Sequence, residues 1–155
     1  MIVDIIPAKN EHIEVIASDM RQADADEVFA ASMMSPADAL QVSLDGSPFA
    51  WTGTVDGVPV CMFGVSSECV LTLRGVPWLL AARSLERYQA AFLRRCRAFL
   101  QRMLAIYPVL VNYVDVRNVV SMRWLRWMGF TFDDPAPFGP FGLPFARFEM
   151  RRAAV

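Results

Sequence analysis

From about Ser84 to Ile106, the residues Leu85, Tyr88, Phe92, Cys96, Phe99 and Met103 recur at intervals of three and four. That spacing places them on one stripe of a long α-helix. Such a helix, roughly 34 Å long at 1.5 Å per residue, cannot bury its stripe alone and needs a broad apolar surface to lie on. The flanking sequence offers that surface as strands. Ala50 to Val55 and Val58 to Val65 flank Asp56-Gly57, a two-residue hairpin signal. An extended piece around Glu68 to Leu73 leads into a strand over Val76–Leu80. Pro108 stops the helix, and Val109 to Val116 follows as a strand.

The remaining segments complete the pattern. Ile2 to Ile6 reads as a first strand closed by Pro7, and Asn10 is placed to cap a helix with Ile13, Ile16 and Met20 on one face. A second helix runs from about Asp24 to Ser32. Ser35-Pro36-Ala37-Asp38 sets a cap, a proline at the first helical position and an acid three residues after the cap, opening a third helix that ends near Gly46. Asn118 caps a helix through Ser121, Trp124, Leu125 and Met128 that Gly129 ends. Thr131-Phe132 begins a strand, 133–144 is a Pro/Gly/Phe loop, and Phe145 to Arg151 is a closing strand. The order β-ααα-ββ-β-α-β-α-β-β predicts an α/β fold, a mixed sheet flanked by helices. At 155 residues one domain, 1–155, is expected.

Charge divides the chain in two. Residues 1–70 hold 11 acids against Lys9 and Arg21, whereas residues 71–155 hold 13 arginines against 5 acids. The basic half is suited to an anion or to pairing with the acidic half. A helix face exposed to solvent, or such pairing, is the favoured role of Arg94, Arg95 and Arg97. The overall pI of about 5.8 disfavours nucleic acid as a partner. No apolar run approaches the roughly 18 residues that cross a bilayer, and the N-terminus does not read as a signal peptide, so the expected location is cytoplasmic. Cys61, Cys69 and Cys96 do not form a disulfide framework, and one histidine with no close cysteine pair predicts no metal site. Cys61 and Cys69 are expected to be buried and inert, and His12 to lie on the surface. Phe138, Phe141, Phe145 and Phe148 supply a lid over an acceptor site or an exposed docking patch, with core filling the favoured role of Phe145 and Phe148.

Strand Val109–Val116 followed by Asn118-Val-Val-Ser121-Met-Arg-Trp124-Leu125-Arg-Trp-Met-Gly129-Phe130 resembles the closing half of GNAT-superfamily N-acetyltransferases, and the element order resembles that family over the whole chain. The resemblance implies a GNAT-like acyl-CoA N-acyltransferase fold with a central mixed sheet of about six or seven strands, and acetyl transfer from acetyl-CoA to an amine. By this likeness Asn118 and Ser121 lie near the cofactor's pantetheine and phosphate. The family cradles the diphosphate with a glycine-rich turn at the start of the long helix. The matching stretch, Ala81 to Phe92, has no glycine, which passes the phosphates to arginine side chains: Arg94 and Arg95, with Arg83 and Arg87. The family's proton-donating tyrosine falls at Leu125, leaving Tyr113 or Tyr88 as donor, with Glu68 and Asp115 as candidates to deprotonate the amine.

Leu110-Val-Asn-Tyr-Val-Asp-Val-Arg-Asn118, the arginine-rich helix before it and the short length also resemble a small tailed-phage family of GNAT-like internal virion or morphogenesis proteins. That likeness implies a phage- or prophage-encoded chain in the host cytoplasm or associated with the virion. Its alternative to catalysis is a scaffold that contacts phage structural proteins.

Overall fold

The computed structural model describes residues 1–68 and 71–153; Cys69 lies outside them. The elements are β1 (Val3–Pro7), α1 (Ile13–Ala17), α2 (Gln22–Ser32), α3 (Pro36–Asp45), β2 (Phe49–Val55), β3 (Val58–Ser67), β4 (Arg74–Ala81), α4 (Leu85–Ile106), β5 (Val109–Asp115), α5 (Val119–Met128), β6 (Thr131–Phe132), β7 (Ala136–Phe138) and β8 (Leu143–Arg151). They form one mixed sheet in the order β1-β2-β3-β4-β5-β8-β6, with β7 also on β8. The β4–β5 pair is parallel and the others are antiparallel. Among the described residues the sheet has eight strands, more than expected, because the Pro/Gly/Phe loop itself contributes β7.

Helices cover both faces. On one, α4 lays Leu85, Phe92, Cys96, Leu100, Met103 and Leu104 against β3, β4, β5 and β8, beside Trp124 of α5. Each large side chain buried there stabilises by about 1.5–3 kcal/mol relative to exposure. The approach is close at Gly53, where a Cβ would stand 2.5 Å from the Phe92 ring. On the other face, α1 and α3 pack Ile13, Ile16 and Leu40 on Met62, Leu80 and Trp78. Residues adjacent in a strand point to opposite faces, so β3 and β4 feed both cores. Among the described residues no helix is long and apolar enough to cross a membrane.

Local chemistry explains both the agreements and the departures. Ser35 caps α3 by accepting from the Asp38 N–H, and Asn118 caps α5 by accepting from the Ser121 N–H. Asn10 caps nothing: residues 10–12 form a 3-10 turn, and its Oδ1 accepts instead from Gln41. His12 is buried, contrary to the surface position expected. Its Nδ1 accepts the Lys9 N–H at 3.2 Å and lies 2.8 Å from Thr52 Oγ1, and burial lowers its pKa. The extended piece expected around Glu68 to Leu73 is a turn at residues 71–72, with Leu73 at φ 53° and Glu68 N–H bonded to Arg74 C=O.

The loop before β8 lies on α2. Gly139 has φ 74°, and a Cβ there would stand 2.4 Å from the Ala30 carbonyl oxygen. Phe141 stacks on Phe29 at 5.6 Å, and Phe138 stacks on Tyr113 at 4.5 Å.

Candidate functional site: a wedge between two parallel strands

Strands β4 and β5 pair at Arg74↔Val109 and Gly75↔Leu110 and then diverge. Pro77 has no N–H to continue the ladder, and its carbonyl accepts from Asn112 Nδ2 at 2.7 Å as a last tie across the gap. Beyond it the strands enclose a cavity of about 420 Å³. Four consecutive β4 residues, Pro77, Trp78, Leu79 and Leu80, line it. Because neighbours on a strand face opposite ways, the cavity passes through the sheet. Toward α4 and α5 its wall is apolar, including Leu93, Cys96, Leu125 and Met128; Glu27, Ser32, Asn112, Tyr113 and Ser121 add polar groups. Burial pushes the Cys96 thiol up to about 12 and raises Cys61 as well, so neither is a ready nucleophile.

At its open end the wedge is spanned by the chain itself. Met20 bridges Ala82 in antiparallel fashion. Arg21 N–H donates to Ala81 C=O at 2.9 Å, and Arg83 N–H donates to Asp19 C=O at 2.9 Å. The Ala81 N–H donates to Asp24 Oδ2 at 3.0 Å. Arg21, only 4% exposed, gathers the surrounding groups. It donates through Nη1 to Asp24 Oδ1 at 2.7 Å, through Nε to Glu86 at 3.0 Å, and to Ser121 Oγ at 3.3 Å and Asn118 Oδ1 at 3.4 Å. Its guanidinium lies 4.7 Å from the Trp124 ring centroid. Asn118 Nδ2 donates back to Asp24 at 3.0 Å. Burial pushes the Asp24 carboxyl up, against the pull of the Arg21 charge.

One turn along α2, Glu27 accepts the Asp115 N–H at 2.8 Å. Burial, reinforced by the charges of Asp24 and Asp115, pushes its carboxyl up to about 8. Two carboxyl groups three residues apart on α2 therefore each hold one of the diverging strands, Asp24 on β4 and Glu27 on β5.

The candidates from sequence fall in several places. Asn118 and Ser121 meet in the Arg21 network, and Tyr113 and Ser121 line the cavity. The Asp115 carboxylate is buried but engaged by Arg117 through its backbone N–H at 2.9 Å and its guanidinium at 2.6 Å. Glu68 is exposed by the β3–β4 turn, at the closed end of the wedge, about seven strand residues or roughly 23 Å from Ala81. Arg94 and Arg95 are exposed on α4, about 14 Å along its axis from Leu85. Arg21, Asp24, Glu27 and Glu86 are site groups that sequence reasoning did not single out; the one signal for them was Arg21 as the sole arginine among the acids of residues 1–70.

A CoA thioester tests the wedge in two parts. The acyl end suits an apolar cavity that crosses the sheet. The nucleotide end does not suit the start of α4. Only Ala82, Arg83 and Ser84 connect β4 to that helix, and its first N–H groups are already bonded, Leu85 to Ala82, Glu86 to Arg83 and Arg87 to Ser84. No glycine admits a phosphate, and Glu86 adds a like charge there.

A mixed sheet that splits between two parallel strands, with a long helix returning from the split, is the GNAT N-acetyltransferase fold, and the chain has it. Neither a family model nor a curated protein matches the sequence. Solved structures do match, over nearly full length. Ard1 from Thermoplasma volcanium aligns over 99% of this chain and 100% of its own, with a TM-score of 0.74 at 14% identity. A GCN5-related N-acetyltransferase from Kribbella flavida aligns over 97% and 98%, with 0.72 at 12%. The structure of yncA from Salmonella typhimurium with its cofactor acetyl-CoA aligns over 100% and 98%, with 0.66 at 16%. At these identities the likeness is one of fold.

Proposed function

We infer that the chain transfers an acyl group to an amine, with the acyl group seated in the wedge between β4 and β5. The cavity through the sheet carries this reading, because it lets two reactants meet from opposite faces. The donor class is an acyl-CoA thioester, acetyl-CoA being the cofactor in the yncA structure. When bound, the thioester supplies an activated carbonyl.

The chain's own residues do the rest. Leu79, Leu93, Val114 and Leu125 keep water from the acyl end. Glu27 lines the cavity with a carboxyl that titrates near neutral pH, the range in which an acid can exchange a proton with an amine. Tyr113 lines the same cavity, which supports it as the phenol that protonates the leaving group, since Leu125 has no proton to give. Arg83 and Arg87, exposed where α4 begins, take the phosphates in place of a backbone cradle; Arg94 and Arg95 continue that face.

Acetyl-CoA at a hundred times its dissociation constant should stabilise the protein by about 2.7 kcal/mol, read by thermal shift. No shift at millimolar concentration would remove the reading. Leu125→Tyr places a phenol on the cavity wall. Turnover in a coupled thiol assay should rise about a hundredfold if protonation by Tyr113 limits the rate; unchanged turnover would place the limit elsewhere.

The chain pairing along β4 supports a second reading, a non-catalytic scaffold in which the Asp19–Arg21 segment stays in place; the tailed-phage resemblance alone would put it in a virion or its assembly. Phage structural proteins are then the partners, in the host cytoplasm or the particle. Absence of the protein from both procapsids and virions on co-sedimentation would end it.

A further inference from the structure

The fold converts the charge split along the sequence into two oppositely charged layers. Helices α4 and α5 share one face of the sheet and together carry seven arginines and one acid, Glu86. That acid is bonded to the buried Arg21. Arg87, Arg94, Arg95, Arg102, Arg123 and Arg126 are exposed and make no ion pair with a carboxylate among the described residues. The other face, covered by α1 and α3 with α2 beside them, exposes Glu11, Glu14, Asp26, Asp38 and Asp45. Its neighbouring bases are Lys9, 4.0 Å from Glu11, Arg83, 3.7 Å from Asp19, and Arg117, whose charge is felt by Asp26. Asp26 and Asp45 receive neutral amides, from Gln22 and Gln41.

We propose that the α4/α5 layer docks on the α1/α3 layer of a second copy of this chain. Three observations select that occupant. The complementary surface is built into every copy, acid against arginine on opposite sides of one sheet. The net charge of −1 leaves little long-range repulsion between copies. Each layer also carries half-exposed apolar residues, Val15 and Val42 on the acidic side and Ile106 and Trp127 on the basic side, which give a charged contact something to desolvate. Two different surfaces meeting form a heterologous contact, so copies add in one direction. The contact weakens as salt shortens the reach of exposed charges.

Sedimentation equilibrium of the full chain tests this at 25 mM and 500 mM NaCl. The weight-average mass should rise at least about twofold above 17.4 kDa with protein concentration at low salt, and return to the monomer value at high salt. Two charge-reversed variants sharpen the test: Glu14→Arg/Asp38→Arg/Asp45→Arg, and Arg94→Glu/Arg95→Glu/Arg123→Glu. Each should stay monomeric alone and the two should associate when mixed, with circular dichroism melts confirming that both fold. A monomer at both salt concentrations, an assembly indifferent to salt, or variants that assemble alone would overturn the proposal. So would a monomeric wild type that binds a DNA duplex at low salt, which would make nucleic acid the occupant of the basic layer.

Discussion

Asp24→Ala should cost about 3–5 kcal/mol of stability, seen as a fall in Tm of about 10 °C for a chain this size. The side chain accepts from Arg21, Asn118 and the Ala81 N–H at once. Removing it takes away the buried carboxylate on Arg21, leaving the half-exposed Glu86 as the only counter-charge, and leaves the end of β4 without its acceptor. Asp24→Asn keeps a carbonyl oxygen where Oδ1 accepts from both Arg21 and Asn118 and should lose less. Arg94→Ala, on the exposed face of α4, should stay within about 0.5 kcal/mol. A loss below about 1 kcal/mol for Asp24→Ala would mean that the network does not hold the wedge. The same variant bears on function, since freeing the Ala81 N–H and loosening Asp19–Arg21 exposes the β4 edge. If the acyl-CoA reading is right, any Asp24→Ala that folds should bind acetyl-CoA more tightly than the wild type.

The second large effect is on pH dependence, through Glu27. Its folded-state pKa of about 8 lies above the ordinary 4.5. Between those values the folded chain holds a proton that the unfolded chain has lost. Stability from this group is therefore present below pH 4.5, falls as pH rises toward 8, and is level above that. One proton sets an upper limit on the slope of about 1.4 kcal/mol per pH unit. Urea titrations from pH 5 to 9 should show the decline in the wild type and a flatter profile in Glu27→Gln, with the difference between them greatest at high pH. His12, whose pKa burial lowers, acts in the opposite sense toward acid pH and is common to both proteins. It cancels in that difference. Identical profiles would remove the claim that Glu27 titrates near neutrality.

How far the sequence could be read depended on the range of the interactions. The Asp56-Gly57 hairpin, the α4 stripe, and the Ser35 and Asn118 caps rest on contacts within a few residues, and they stand as expected. Asn118 and Ser121 could be singled out because the motif around them is continuous. Asp24 and Glu27 could not, because their partners Ala81 and Asp115 lie 57 and 88 residues away, and α2 showed no pattern to mark them. His12 was misplaced for a similar reason: Thr52, 40 residues on, gives it a buried partner. The arginines were visible from the first count, but only the sheet shows that α4 and α5 carry most of them away from the acids. Leu125 lies on the helix expected for it, and its place on the cavity wall follows from the packing of α5.

Helix α2 contacts both strands of the wedge and the loop before β8. Asp24 and Glu27 grip the two strand ends, while Phe29 and Ala30 carry the Phe141 and Gly139 segment of the loop before β8. The loop and the wedge thus share a single helix as their support, so a substitution on α2 reaches both.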